Sequence, residues 1–181
     1  MLSENGQCRS FDDSGNGYVR SEAIVSCLIL SEEVVQVNNR SEFVYATIAG
    51  SLSGHGGHLG TGILRPNKQA QIDILKNVYG SCRIDPCEIS YIEAHGTGTE
   101  VGDNVELNAL DTFLFDDGSR KDGLLIGSVK SNVGHCEAAS GLVGVLKVCL
   151  SYKHGVIPGN LHYDTPRSSI GDLLKKKFTI V

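Results

Sequence analysis

Hydrophobic residues in this chain follow two patterns, short uninterrupted runs and helical spacings. A β-branched apolar run fills residues 23–30 and, after a polar break, a second fills 43–49; both predict sheet strands. Shorter runs at 89–94 and 124–127 predict buried strands, and each passes directly into a glycine-rich turn. Ile72, Leu75, Val78 and Tyr79 recur at helical intervals, which predicts one amphipathic helix over 67–79 that Pro86 bars from the following loop. Val105, Leu107, Leu110, Phe113 and Leu114 predict a second helix starting near Asp103, whose carboxylate suits a helix N-terminus. Residues 138–152 predict a third, so poor in charge that burial on nearly all sides is expected, with Gly141 and Gly144 allowing close backbone packing. A short strand over 178–181 ends the pattern. Residues 1–18, rich in Asp, Ser, Asn and Gly, read as a loop, and glycine-rich 51–62 as a flexible surface connection. Strands alternating with helices predict an α/β fold with a mainly parallel sheet, whose ligand sites lie at the carboxyl ends of strands.

Two histidines fall at such ends. His95 sits in Glu93-Ala94-His95-Gly96-Thr97-Gly98-Thr99, and His135, forty positions later, in Lys130-Ser131-Asn132-Val133-Gly134-His135. Small neighbours leave each ring open to a ligand, whereas a core histidine is more often walled in by bulky side chains. Two neutral imidazoles can each donate one N–H to an oxygen that becomes negative, the requirement for stabilising an enolate. Lys130, five residues before His135, is placed to fix that ring's orientation or protonation. Thr97 and Thr99 could hydrogen-bond an amide-bearing substrate arm.

Composition narrows the picture. With 181 residues, 40% hydrophobic and 20% charged, the chain fits one soluble globular domain. A net charge of -5 argues against a nucleic-acid or anionic-membrane surface, and Lys175, Lys176 and Lys177 read as a solvated turn. The apolar stretches are too short to span a bilayer. Six cysteines without paired two-residue spacings, and no secretory leader, read as reduced thiols of a cytoplasmic protein. His55 and His58 lack a nearby carboxylate or thiolate at ligand spacing, so no metal site is expected.

The run from Glu93 to Leu107 and that from Gly127 to Gly141 resemble the β-ketoacyl synthase domain of type I fatty acid and polyketide synthases. So do Phe11-Asp12-Asp13-Ser14-Gly15-Asn16-Gly17-Tyr18-Val19-Arg20-Ser21-Glu22 and the stretch from His154 to His162. Residues 17–22 and 160–162 give the resemblance the flavour of animal fatty acid synthase and its polyketide-synthase relatives. The resemblance implies a thiolase-like fold, present in part as mainly the second half of a layered α-β-α-β-α ketosynthase. Residues 1–50 would end the N-terminal half and form its junction, and 51–181 would belong to the C-terminal half. It implies an acyltransferase that condenses an acyl thioester with malonyl-carrier protein, decarboxylating as it does so, in fatty acid or polyketide biosynthesis. By the same resemblance His95 and His135 assist decarboxylation and hold the malonyl thioester oxygen, Lys130 supports them, and Thr97 and Thr99 lie near the phosphopantetheine arm. Asp103 and Glu106 match structural acids behind the first histidine. The implied partners are an acyl-carrier protein and, in the parent, a second copy in a homodimer, with no cofactor bound directly.

The sequence also departs from the family pattern. The family nucleophile sits in a Thr-Ala-Cys-Ser-Ser type elbow that none of the six cysteines here reproduces, and Cys136 replaces what is commonly proline after the second histidine. The family's glycine- and phenylalanine-rich closing motif is absent too. The expectation is an internal fragment, inactive alone in condensation, with exposed sheet edges and apolar helix faces. A competing reading keeps the scaffold without catalysis, as a carrier-docking remnant. A dinucleotide-binding module fails on spacing, because Gly96, Gly98 and Gly102 do not form G-x-G-x-x-G.

Overall fold

A computed structural model describes residues 1–37, 44–57 and 65–181. Its helices and strands follow the order α1 (Glu32–Val37), α2 (Lys68–Cys82), β1 (Tyr91–Glu93), α3 (Glu100–Phe115), β2 (Leu124–Gly127), α4 (Lys130–Val133), α5 (Ser140–His154), α6 (Gly171–Lys176) and β3 (Phe178–Ile180). The three strands form one parallel sheet in the order β1-β2-β3. Parallel neighbours need long crossovers, which α3 supplies between β1 and β2 and α4 to α6 supply between β2 and β3. The register pairs Glu93 with Gly127, so the two turns that carry His95 and His135 leave the sheet side by side at its carboxyl end.

The core lies between the sheet and α3. Leu107, Leu110 and Leu114 recur along one face of α3 and pack with Leu124, Ile126, Phe178, Ile170 and Leu174. Burying each such side chain is worth about 1.5–3 kcal/mol. Helix α2 packs on α3, with Tyr79 and Phe113 ring centroids 5.2 Å apart. It begins where the sequence placed it, because Asn67 caps it by accepting from the Ala70 N–H. Phe11 is fully buried in the same core and ties the N-terminal loop to the sheet layer.

Several expectations are corrected. Residues 23–30 and 44–49 form no strands: an extended apolar run becomes a strand only when a neighbour completes its hydrogen bonds, and none pairs with them among the described residues. Ile24 is 99% exposed. The polar break between the runs carries the short α1, none of whose residues is buried. Phe43 and His58 lie outside the described residues, and 51–57 carry no regular element. Helix α5 is not buried on nearly all sides. Only Gly144 and Lys147 are buried, and Leu142, Val145, Leu146 and Leu150 stand exposed. Lys175 and Lys176 close α6, and Lys177, in the turn that follows, is paired with Asp111. No described helix is long and apolar enough to cross a membrane.

Candidate functional site at the carboxyl end of the sheet

The first histidine turn is held from behind by two acids on α3. Glu106 reaches back so that Oε1 accepts the His95 N–H (2.7 Å) and Oε2 the Gly96 N–H (2.9 Å). Asp103, fully buried, accepts the Phe11 N–H at Oδ2 (2.8 Å) and the Gly98 N–H at Oδ1 (3.1 Å), with the Arg167 guanidinium 4.0 Å away. The second helix therefore starts at Glu100, three residues before the expected position, and Asp103 spends its carboxylate on the turn and on Phe11. Burial pushes the Asp103 carboxyl up to about 6 against the pull of its backbone donors and Arg167, and burial likewise raises Glu106. Gly98 has φ +83°, and a Cβ there would lie 2.8 Å from the Arg9 nitrogen, so this turn requires glycine.

The second turn is tied to the first by direct bonds. Ser128 Oγ donates to the His95 carbonyl (3.2 Å), and the Val129 N–H donates to Glu93 Oε1 (2.6 Å). Asn160 Oδ1 accepts the Ser128 N–H at 2.9 Å. His135 is anchored on the N-terminal loop: its N–H donates to the Val19 carbonyl (2.7 Å) and its carbonyl accepts the Ser21 N–H (3.0 Å). Its Nδ1 accepts the Glu137 N–H at 3.0 Å, which places the ring proton on Nε2.

These constraints bring the two imidazoles to a centroid separation of 5.3 Å, nearly perpendicular at 86°. Tyr18 adds a third ring, its centroid 5.1 Å from that of His135. His95 keeps an exposed edge, yet the crowding around its ring, with the Lys130 cation and His135 nearby, lowers its titration to about 4. Burial and then Lys130 also lower His135. Both rings are therefore neutral donors at neutral pH. Lys130, 4% exposed, is lowered by its burial and supported as a cation by Glu106 and Glu93. Thr97 is buried and Thr99 half-buried, and their hydroxyls bond each other at 3.0 Å.

The structure thus brings His95, His135 and Lys130 together, with Asp103 and Glu106 behind them and the Thr97–Thr99 pair in the same turn. Tyr18, Glu93, Ser128 and Asn160 join the site through contacts that only the structure shows. Glu93 stands two residues before His95 and Ser128 two before Lys130, so their signal was position at strand ends rather than residue type. Of the two buried cysteines, Cys8 is raised by its burial, and Cys136 lies 3.1 Å from Ser21 Oγ. Among the described residues no group of three or more His, Cys, Asp or Glu could hold a metal ion.

The model of the beta-ketoacyl synthase C-terminal domain matches residues 45–164, and that of the N-terminal domain matches residues 1–34. The chain belongs to the β-ketoacyl synthase family. A hybrid PKS-NRPS synthetase of Aspergillus violaceofuscus is 40% identical over 94% of this chain, which spans 4% of that protein. A phenolphthiocerol/phthiocerol polyketide synthase of Mycobacterium tuberculosis is also 40% identical, over 93% of this chain and 9% of its own length. Among solved structures, the ketosynthase from module 6 of the Bacillus subtilis bacillaene synthase superposes with a TM-score of 0.82 at 35% identity, over 93% of this chain and 30% of that one. An oxazolomycin ketosynthase domain of Streptomyces albus gives 0.85 at 32%, over 98% and 30%. These neighbours establish the partial thiolase-like ketosynthase fold. The chain spans under a tenth of these curated relatives and about a third of each solved ketosynthase.

Proposed function

We propose that this β-ketoacyl synthase chain forms the malonyl-activating part of a condensing site, with residues 1–50 closing the N-terminal half and 51–181 contributing the C-terminal half. The observation that carries the reading is the pair of neutral imidazoles 5.3 Å apart at the carboxyl end of the sheet. When a malonyl thioester loses carbon dioxide, the electron pair of the broken C–C bond moves onto the thioester oxygen, and N–H groups aimed at that oxygen stabilise the charge as it develops. His135 offers Nε2–H to it by virtue of its engaged Nδ1, and His95 offers a second donor from the neighbouring turn. The carbanion then attacks an acyl thioester carbonyl, forming the new C–C bond and expelling a thiolate. Lys130 is a buried cation whose field adds to the burial of both rings in disfavouring imidazolium, keeping the donors neutral. Thr97 and Thr99 are assigned to the amide-bearing phosphopantetheine arm of an acyl-carrier protein, the partner that delivers the thioester to a homodimeric parent. None of the six cysteines is assigned as nucleophile. The names of the relatives favour a polyketide product over a fatty acid.

The test uses a complete synthase carrying this segment. Replacing His95 or His135 by Ala abolishes release of carbon dioxide from malonyl-carrier protein while leaving acylation of the nucleophilic cysteine intact. Unchanged decarboxylation in both variants refutes the role assignment.

A further inference from the structure

Behind the turn that carries Lys130 lies a buried polar cluster that the proposed chemistry does not use. Lys147, from the middle of α5, places Nζ 2.8 Å from Glu93 Oε2, with the two side chains 4% and 10% exposed. The same Oε2 accepts the Tyr91 hydroxyl at 2.6 Å, and Lys147 Nζ donates to that hydroxyl at 2.9 Å. Glu93 Oε1 is committed elsewhere, to the Val129 N–H at 2.6 Å, immediately before Lys130. Space around the cluster is tight: a Cβ on Gly144 would come 3.3 Å from Glu93 Cγ, and one on Gly127 2.9 Å from the Tyr91 hydroxyl.

A buried ion pair is a poor stabiliser, because taking two charges out of water costs about what their attraction returns, and an apolar pair of equal volume commonly serves as well. What such a pair supplies is geometry. Here it joins three elements at one carboxylate: β1, two residues before His95; the exit of β2, one residue before Lys130; and α5, which follows His135.

We propose that Tyr91, Glu93 and Lys147 form a positioning network that holds the turn carrying Lys130 and His135 in place against the turn carrying His95. This rests on the condensing reading for its purpose, but its test needs no turnover, so the network and that reading fail separately. The network acts through the Val129 amide and the turn that it starts, and Glu93 in addition supports the Lys130 cation.

The experiment compares two double substitutions in the full 181-residue chain. Both Glu93→Leu/Lys147→Met and Glu93→Gln/Lys147→Met remove the charges together and leave no lone buried ion, and only the second keeps an acceptor for the Val129 N–H. The readout is the side-chain nitrogen spectrum of His135, whose Nδ1 and Nε2 resonances are well separated while one tautomer dominates. The Leu/Met variant is expected to draw these two resonances together and to weaken the ring-to-ring Overhauser contact with His95; the Gln/Met variant is expected to restore both. A purely structural pair would change the melting temperature and leave the imidazole spectrum alone, so a wild-type spectrum in the Leu/Met variant overturns the proposal. If that variant does not fold, Tyr91→Phe reads the same network without altering a charge. Loss of one donor to Glu93 should then speed amide exchange at Val129 about fivefold, with Leu110 in α3 unchanged. Unaltered exchange at Val129 overturns the proposal equally.

Discussion

Glu106 is the side chain on which the first histidine turn depends, and Glu106→Gln tests that dependence with one atom changed. The carboxylate accepts two backbone N–H groups, from His95 and Gly96. A glutamine can accept only one of them; its NH2 then faces the other N–H, donor against donor. A hydrogen bond to a charged acceptor is worth about 1.5–3 kcal/mol, and a buried donor left unmatched costs about 1–3 kcal/mol. Allowing for relaxation of the amide, the expected loss is about 3 kcal/mol. For a chain of this length that lowers the melting temperature by roughly 6–12 °C. Glu100, exposed on the same helix, supplies the control: Glu100→Gln removes an equal charge and should change stability by less than about 0.5 kcal/mol. Urea unfolding followed by circular dichroism measures both, and amide exchange at Gly96 should quicken in the first variant alone. If Glu106→Gln costs no more than Glu100→Gln, the carboxylate is not what holds the turn and the account of this site is wrong.

Four further outcomes follow from the same contacts. His95 should titrate at about 4 in a histidine NMR titration; because the native ring binds fewer protons than the unfolded one, stability should fall as pH drops through the interval from 6.5 to about 4. Lys130→Met should raise the titration of both His95 and His135, since the cation disfavours both imidazolium forms, and an unmoved pair of curves would remove Lys130 from the site. Gly98→Ala should destabilise by about 2–4 kcal/mol in chemical unfolding, because the new Cβ meets the Arg9 backbone at a positive φ. Leu107→Ala, at a fully buried position of α3, should cost about 2–5 kcal/mol by the same measurement.

What the sequence disclosed depended on how local the cause was. Strand β2 appears over the residues read for it, since three apolar residues between two glycines have little else to form. Helix α2 was legible at its start because Asn67 caps within one turn. The histidine pair was legible because glycine spacing reports a turn and a strand end reports where it lies. Long-range partners left no such mark. Residues 23–30 have the composition of a strand, but strand character is conferred by a pairing neighbour that composition does not specify. The low charge of α5 predicts all-round burial, yet its one interior lysine, Lys147, is one of only two residues it buries, while the leucines around it are exposed. Glu93 bears no local mark of a site residue because its partners, Lys147 and Val129, are 54 and 36 positions away.

The Glu137 amide against His135 Nδ1 has a consequence for reactivity. An imidazole whose first nitrogen is engaged and whose second bears the proton has no lone pair left to offer, so at this position it cannot abstract hydrogen from carbon. On the proposed reading, a substrate that meets this ring becomes a nucleophile by shedding a group that leaves without its bonding electrons. Carboxylate, departing as a neutral gas, meets that demand, and a simple acetyl ester does not.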